Sequence, residues 1–283
     1  MKFSINKYTL RRVIPGFFVH VTLILVSITC IFPLVWMFSS SLKTQQTVFQ
    51  NMSLWPAHFN WHNYIIAWTK GGFGIYFLNS IFYTVTVVTG LILIASLAAY
   101  AFSRLEFPGK NIIFYVFLAA MMIPIPGAFV ALYVLLVKLG LVNTRLGYIL
   151  PQINIGLSLA IYILKTFFDE IPKDIEESAK VDGCSKLGLW WHIALPIAKP
   201  AIAVIVIFNS LAVWNEYILA MIILQDKAKM PLQRGLMIFQ GAHFTEYPLL
   251  MAGITITVIP ILLVYLFMQK YIIQGITAGA VKG

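Results

Sequence analysis

An all-α, polytopic membrane protein is the fold class this sequence predicts, and three observations predict it. Of 283 residues, 60% are hydrophobic and only 11% charged, with a mean hydropathy of +0.87, too little polar surface to cover a water-facing globule. Apolar runs longer than a soluble strand or core helix recur along the chain, and the charged residues stand between those runs. A bilayer core about 30 Å thick takes roughly 20 helical residues to cross, so several crossings fit and only short connections remain. Within lipid each backbone amide must be satisfied inside its own segment, which makes the crossings helices. A soluble cytoplasmic domain is excluded, and 21 Phe, 13 Tyr and 7 Trp exclude a disordered chain.

Six spans are predicted. The first, 13–40, follows Lys2, Lys7, Arg11 and Arg12 and contains Pro33; its length and the lack of an A-x-A site separate it from a signal peptide. A loop over 43–70 follows, in which Trp55, Trp61, Tyr64 and Trp68 are the amphipathic rings expected at a headgroup boundary, on an interfacial turn of helix. The second span covers 75–103. The third, 111–137, holds Pro124, Pro126 and Gly127 and is expected to be broken there. Pro151 lies in the fourth, 146–166. Glu216 interrupts the fifth, 199–224, and Pro260 lies in the sixth, 247–269. With the N-terminus cytoplasmic, 13 of the 20 Lys and Arg (2, 7, 11, 12, 104, 110, 165, 173, 180, 186, 199, 270 and 282) fall inside, so both termini are expected in the cytoplasm. Neither a repeat nor a linker divides the chain, which reads as one membrane domain over 1–283. The basic excess forms no stripe with aromatics, and a nucleic-acid partner is not expected.

The segment 169–196 carries the charge. Six of the ten acids lie in it (Asp169, Glu170, Asp174, Glu176, Glu177 and Asp182), with Lys173, Lys180 and Lys186. Pro172 suits a first helical position and Gly183 a left-handed cap, so 173–182 reads as a short helix, with Ser185 capping a second. Ile171, Ile175 and Ala179 recur at i, i+4 and i+8 as an apolar stripe. Ser178 and Ala179 are small enough for another protein to approach the helix backbone. On spacing alone, a solvated amphipathic loop on the lipid headgroups is equally open.

Glu177-Ser178-Ala179, then Asp182-Gly183, then nine residues to Ile193-Ala194-Leu195-Pro196, resembles the Glu-Ala-Ala loop of binding-protein-dependent ABC importer permeases, with Ser178 in place of the usual first Ala. Phe32-Pro33-Leu34 with Ser41-Leu42-Lys43, Asn79-Ser80, 98–104 with Phe107-Pro108-Gly109, Trp214-Asn215-Glu216 and the ending 275–283 are similar to the MalG-type subunits of carbohydrate importers. The resemblance implies the type I ABC importer permease fold, a prokaryotic inner-membrane location, and a pathway shared with a second, MalF-like permease. It also implies two ATPase subunits below and an extracytoplasmic binding protein that delivers a sugar or oligosaccharide. Glu177, Ser178, Ala179, Asp182 and Gly183 would then couple to the ATPase, and the tail 271–283 would reach it through Gly275, Gly279, Lys282 and Gly283.

Chemistry on this chain is not expected. No G-x-x-x-x-G-K-[ST] run can cradle a nucleotide, so ATP and Mg would be used by partner subunits and no cofactor is bound here. His20, His58, His62, His192 and His243 show no metal spacing, and Cys30 and Cys184 form no ligand pair. Glu216, the one carboxylate inside a span, is expected to hydrogen-bond with Asn215, Asn209 or a polar group of the second permease. Asn209, Trp214 and Tyr217, with Tyr133 and Asn154, are the candidates for lining a sugar pathway. Glycerol phosphate or a polyol remains open as cargo. A proton-coupled secondary transporter lacks a second buried acid, and an integral-membrane enzyme lacks a catalytic constellation.

Overall fold

The computed structural model describes residues 7–51, 53–122, 125–241 and 244–280, which leaves Pro124, His243, Lys282 and Gly283 outside the described residues. By its contacts the chain divides into two compact units, 1–70 with 238–256 and 71–237 with 257–283. Among the described residues helices form most of both, with largely non-helical chain over 42–61 of the first, and an isolated antiparallel bridge joins Gln240 to Thr245.

The first unit holds α1 (Lys7–Ser41) and the short α2 (His62–Thr69). The end of α1 leaves carbonyls without helical partners, and the first turn of α2 supplies a donor. Asn63 Nδ2 donates to Ser41 O and Lys43 O at 2.7 and 2.9 Å. Lys43 is buried and donates through Nζ to Asn51 O and Ser53 O at 2.7 and 2.8 Å; burial lowers its pKa from the ordinary lysine value. Trp55, Trp61 and Trp68 stay exposed around α2.

The second unit is built on α3 (Phe73–Arg104) and α6 (Arg145–Asp169), with α4 (Lys110–Ala120), α5 (Ile125–Lys138), α7 (Lys173–Val181), α8 (Lys186–Ile197), α9 (Lys199–Trp214) and α10 (Ile218–Ile223) around them. Gly72 in left-handed conformation precedes α3, and the Thr144 hydroxyl caps α6 by accepting from Gly147 N at 3.0 Å. Ala95 and Ala99 of α3 and Ala160 of α6 are fully buried, small residues that let backbones approach in a membrane bundle. At Gly156 three helices meet: a Cβ there would collide with Asn209 Oδ1 on α9 and lie 3.0 Å from Leu91 on α3.

Among the described residues, four helical segments are long and apolar enough to cross a membrane: Phe18–Ser41, Phe73–Arg104, Arg145–Asp169 and Tyr247–Phe267. The other two expected spans differ from the continuous helices that apolarity predicts. Residues 111–137 are divided between α4 and α5, as the Pro and Gly content there anticipates. The 199–224 run is broken after Trp214 and resumes at Ile218, and α8 meets α9 at a 75° bend. Pro196 and Pro200 lack the N–H groups that would carry a straight helix through that bend. The last helix, α11 (Tyr247–Ala280), runs past the apolar stretch and through Gly275 and Gly279. Within the expected tail 271–283, residues 271–280 continue this helix, since no proline in that stretch stops a helix already nucleated.

Candidate functional site

The charged segment folds as two helices joined by a tight turn. Pro172 sits one position earlier than expected, as the residue preceding α7. Its extended ψ of 134° turns the chain out of α6. At the far end Gly183 is left-handed, φ +81°. Its N–H donates to Lys180 O at 3.0 Å and Cys184 N donates to Ala179 O at 2.9 Å, the paired bonds of a glycine-terminated helix. Ser185 Oγ then accepts from Gly188 N at 3.1 Å and starts α8. Leu189, Trp190 and Ala194 of α8 are buried against Tyr100, Phe168 and Leu164, so the segment is fastened to the bundle through its second helix.

Burial on α7 departs from the periodic reading. Ile171 is buried but precedes the helix, Ile175 is 44% exposed, and Ala179 is half-buried against the core. The side chain that points inward is charged. Glu176 Oε1 lies 2.6 Å from Arg104 Nε at the end of α3, each side chain only 8% exposed, in an ion pair without the alignment of a hydrogen bond. Arg104 Nη2 donates to Ile171 O at 2.6 Å. Beside it Ser103 Oγ donates to Asp169 Oδ1 at 2.6 Å and Lys165 Nζ to Asp169 Oδ2 at 2.7 Å. With Glu176 inward, Glu177, Ser178, Asp182 and Gly183 are exposed, as are Val181, Leu187 and Trp191.

The broken fifth run has its own polar centre. Glu216 Oε1 accepts from Leu219 N at 2.7 Å, and Oε2 accepts from Ala220 N at 3.1 Å and from the Tyr148 hydroxyl at 3.2 Å. The carboxylate thus caps the start of α10, satisfying amides that a helix N-terminus leaves orphaned. Neither expected amide partner is used: Asn209 Nδ2 donates to Ile205 O and Asn215 Nδ2 to Leu211 O, each at 2.9 Å within its own helical turn. Replacing Glu216 by Ala leaves those donors unpaired, which costs about 1–3 kcal/mol for a buried group. Glu216→Ala is expected to lower the unfolding temperature of the purified protein, with Glu216→Gln milder because it keeps an acceptor. Equal stability in all three proteins would refute the cap.

Residues 90–278 match the family described as binding-protein-dependent transport system inner membrane component. The chain belongs to this family. It is 34% identical to the diacetylchitobiose uptake system permease protein NgcG of Streptomyces coelicolor, over 93% of this chain and 88% of that one. It is also 34% identical to the trehalose/maltose transport system permease protein MalG of Thermococcus litoralis, over 92% and 94%. A solved bacterial ABC transporter involved in import of the acidic polysaccharide alginate has a chain similar to it with TM-score 0.80 and 26% identity, covering 91% of this chain and 96% of that one. The chain therefore has the type I ABC importer permease fold.

In the permease, the remaining sequence-predicted polar residues are dispersed. Trp214 is buried, its indole N–H donating to Thr257 O at 3.2 Å and its ring edge-on to Phe77, so it packs the bundle instead of offering an open face to a solute. Tyr217 and Asn209 are half-buried, and Asn154 is exposed on α6. The Asn79-Ser80 pair anchors backbone: Asn79 Nδ2 donates to Ala228 O and Met230 O, and Ser80 Oγ accepts from Leu232 N. With Tyr83, whose hydroxyl donates to Lys229 O at 2.7 Å, they fasten the loop after α10 to α3. Arg104, Glu176, Tyr148 and Tyr83 are among the residues whose structural roles sequence reasoning missed. Arg104 ends the 98–104 motif, but nothing local marks its partner.

Proposed function

We propose that this permease imports a sugar or oligosaccharide delivered by an extracytoplasmic binding protein, with a second permease completing the pathway and separate ATPase subunits using ATP and Mg. The observation that carries the reading is the surface of α7 and α8. Polar Glu177, Ser178 and Asp182 stand exposed beside exposed apolar Ile175, Val181, Leu187 and Trp191, on helices rooted in the bundle. Such a face suits an amphipathic helix seated in a partner's groove, where it would turn ATPase motion into rigid-body motion of the spans. The saccharides in the names of the relatives support the cargo class. In this arrangement both chain ends are cytoplasmic, and the end of α11 extends toward the ATPase, with Gly275 and Gly279 one turn apart for close backbone approach.

Reconstitution tests the reading. Vesicle uptake of an oligosaccharide is expected only when ATP, the ATPase, the second permease and the binding protein are all present. Uptake by this chain alone, driven by a pH gradient, would overturn it in favour of a secondary transporter.

A further inference from the structure

We infer that Arg104 is the positioning residue that locks the docking helix α7 to α3, so that movement of α7 is delivered to the bundle and not absorbed by the turn at Pro172. One guanidinium reaches both sides of that turn: Nη2 donates to the carbonyl of Ile171 before it, at 2.6 Å, and Nε pairs with Glu176 after it, at 2.6 Å. The first contact fixes where the chain leaves α6. The second fixes rotation of α7 about its own axis, because holding Glu176 inward puts Asp174, Ser178 and Val181 on the opposite, exposed side. The neighbouring Ser103–Asp169–Lys165 bonds tie the ends of α3 and α6 together, and Phe102 packs on Phe107, Phe114 and Phe117. Arg104 therefore projects from a braced platform. Apart from this ion pair, among the described residues α7 reaches the core cluster only through its half-buried Ala179.

A buried ion pair is a poor source of stability, since desolvation offsets the Coulomb attraction; what fixes geometry here is one planar guanidinium that spans both partners, directed at the Ile171 carbonyl through Nη2 and holding Glu176 by charge at Nε. Lys cannot reproduce that geometry: its ammonium is a point charge on a flexible stem. The assignment rests on the reading of α7 as the helix that docks on the ATPase.

The test uses the complete transporter in proteoliposomes and reads two quantities, ATPase retained on purification and substrate taken up per ATP hydrolysed. Arg104→Lys is expected to retain the ATPase at the wild-type level while uptake per ATP falls about fivefold or more, the loss expected when charge is kept and the fork is lost. The double variant Arg104→Met with Glu176→Leu removes the pair without leaving a lone buried charge; where it assembles, the same fall is expected. A merely structural role would lower inserted protein, hydrolysis and uptake together and leave the ratio unchanged. A wild-type ratio in Arg104→Lys overturns the assignment, and so does loss of ATPase retention, which would place the pair in docking itself. If the double variant fails to assemble, Arg104→Lys decides alone. Glu177→Lys run alongside separates the two failures: wild-type docking there defeats the docking reading, whereas docking lost there with a normal ratio in Arg104→Lys defeats only the role of Arg104.

Discussion

Glu177→Lys is expected to leave the membrane domain intact and to remove ATP-driven uptake. Glu177 is exposed on α7, one residue from the buried Glu176, and reversing its charge breaks no side-chain hydrogen bond or ion pair found among the described residues. A reversal at an interface replaces an attraction with a like-charge approach, and truncating one member of a desolvated charge pair already costs about 2–5 kcal/mol. At about 1.4 kcal/mol per tenfold, ATPase retention should fall by more than about tenfold and uptake with it. Co-purification of the ATPase and uptake into vesicles check this; both at wild-type levels would defeat the reading of α7 as the docking helix. Glu176→Lys would fail for a different reason, by placing a second cation against Arg104.

The contrast between these adjacent glutamates marks the limit of what could be read in advance. The turn chemistry was legible because it is local: Gly183 and Ser185 perform the capping roles that their positions predict. The long apolar runs were legible because lipid demands them, and α1, α3, α6 and α11 follow. Which glutamate turns inward was not legible, since Arg104 lies 72 residues away in the chain and the choice is made by packing against α3. Periodicity marks Ile171, Ile175 and Ala179 as an apolar stripe without saying what it faces, and in the fold Ile171 belongs to the turn before α7 while Ile175 is 44% exposed. A similar long-range choice decides Glu216. An ionisable residue inside a span called for a side-chain partner, and the principal partners are two backbone amides exposed by a helix break that mean apolarity does not reveal.

Gly183→Pro should abolish uptake while leaving the amount of inserted protein unchanged. The position demands φ near +81°, which proline, fixed near −65°, cannot adopt. Proline also deletes the N–H that bonds Lys180 O, and the shifted backbone would carry Cys184 N away from Ala179 O. Both bonds closing α7 are then lost, and α8 leaves the turn in a new direction. Because Leu189, Trp190 and Ala194 are held in the bundle core, α7 and its exposed face would have to move instead. None of the long apolar helices depends on residue 183, so insertion is spared. Gly183→Ala separates conformation from bulk: its Cβ meets nothing within 4 Å, and the left-handed backbone costs an L-residue roughly 1–2 kcal/mol. The alanine protein should therefore keep much of its uptake, and the proline protein should lose at least about a hundredfold, equivalent to roughly 2.8 kcal/mol of misplaced docking. Uptake and immunodetected membrane protein, measured together, give the answer. If the proline variant transports at the wild-type rate, the direction set at Gly183 does not matter to coupling.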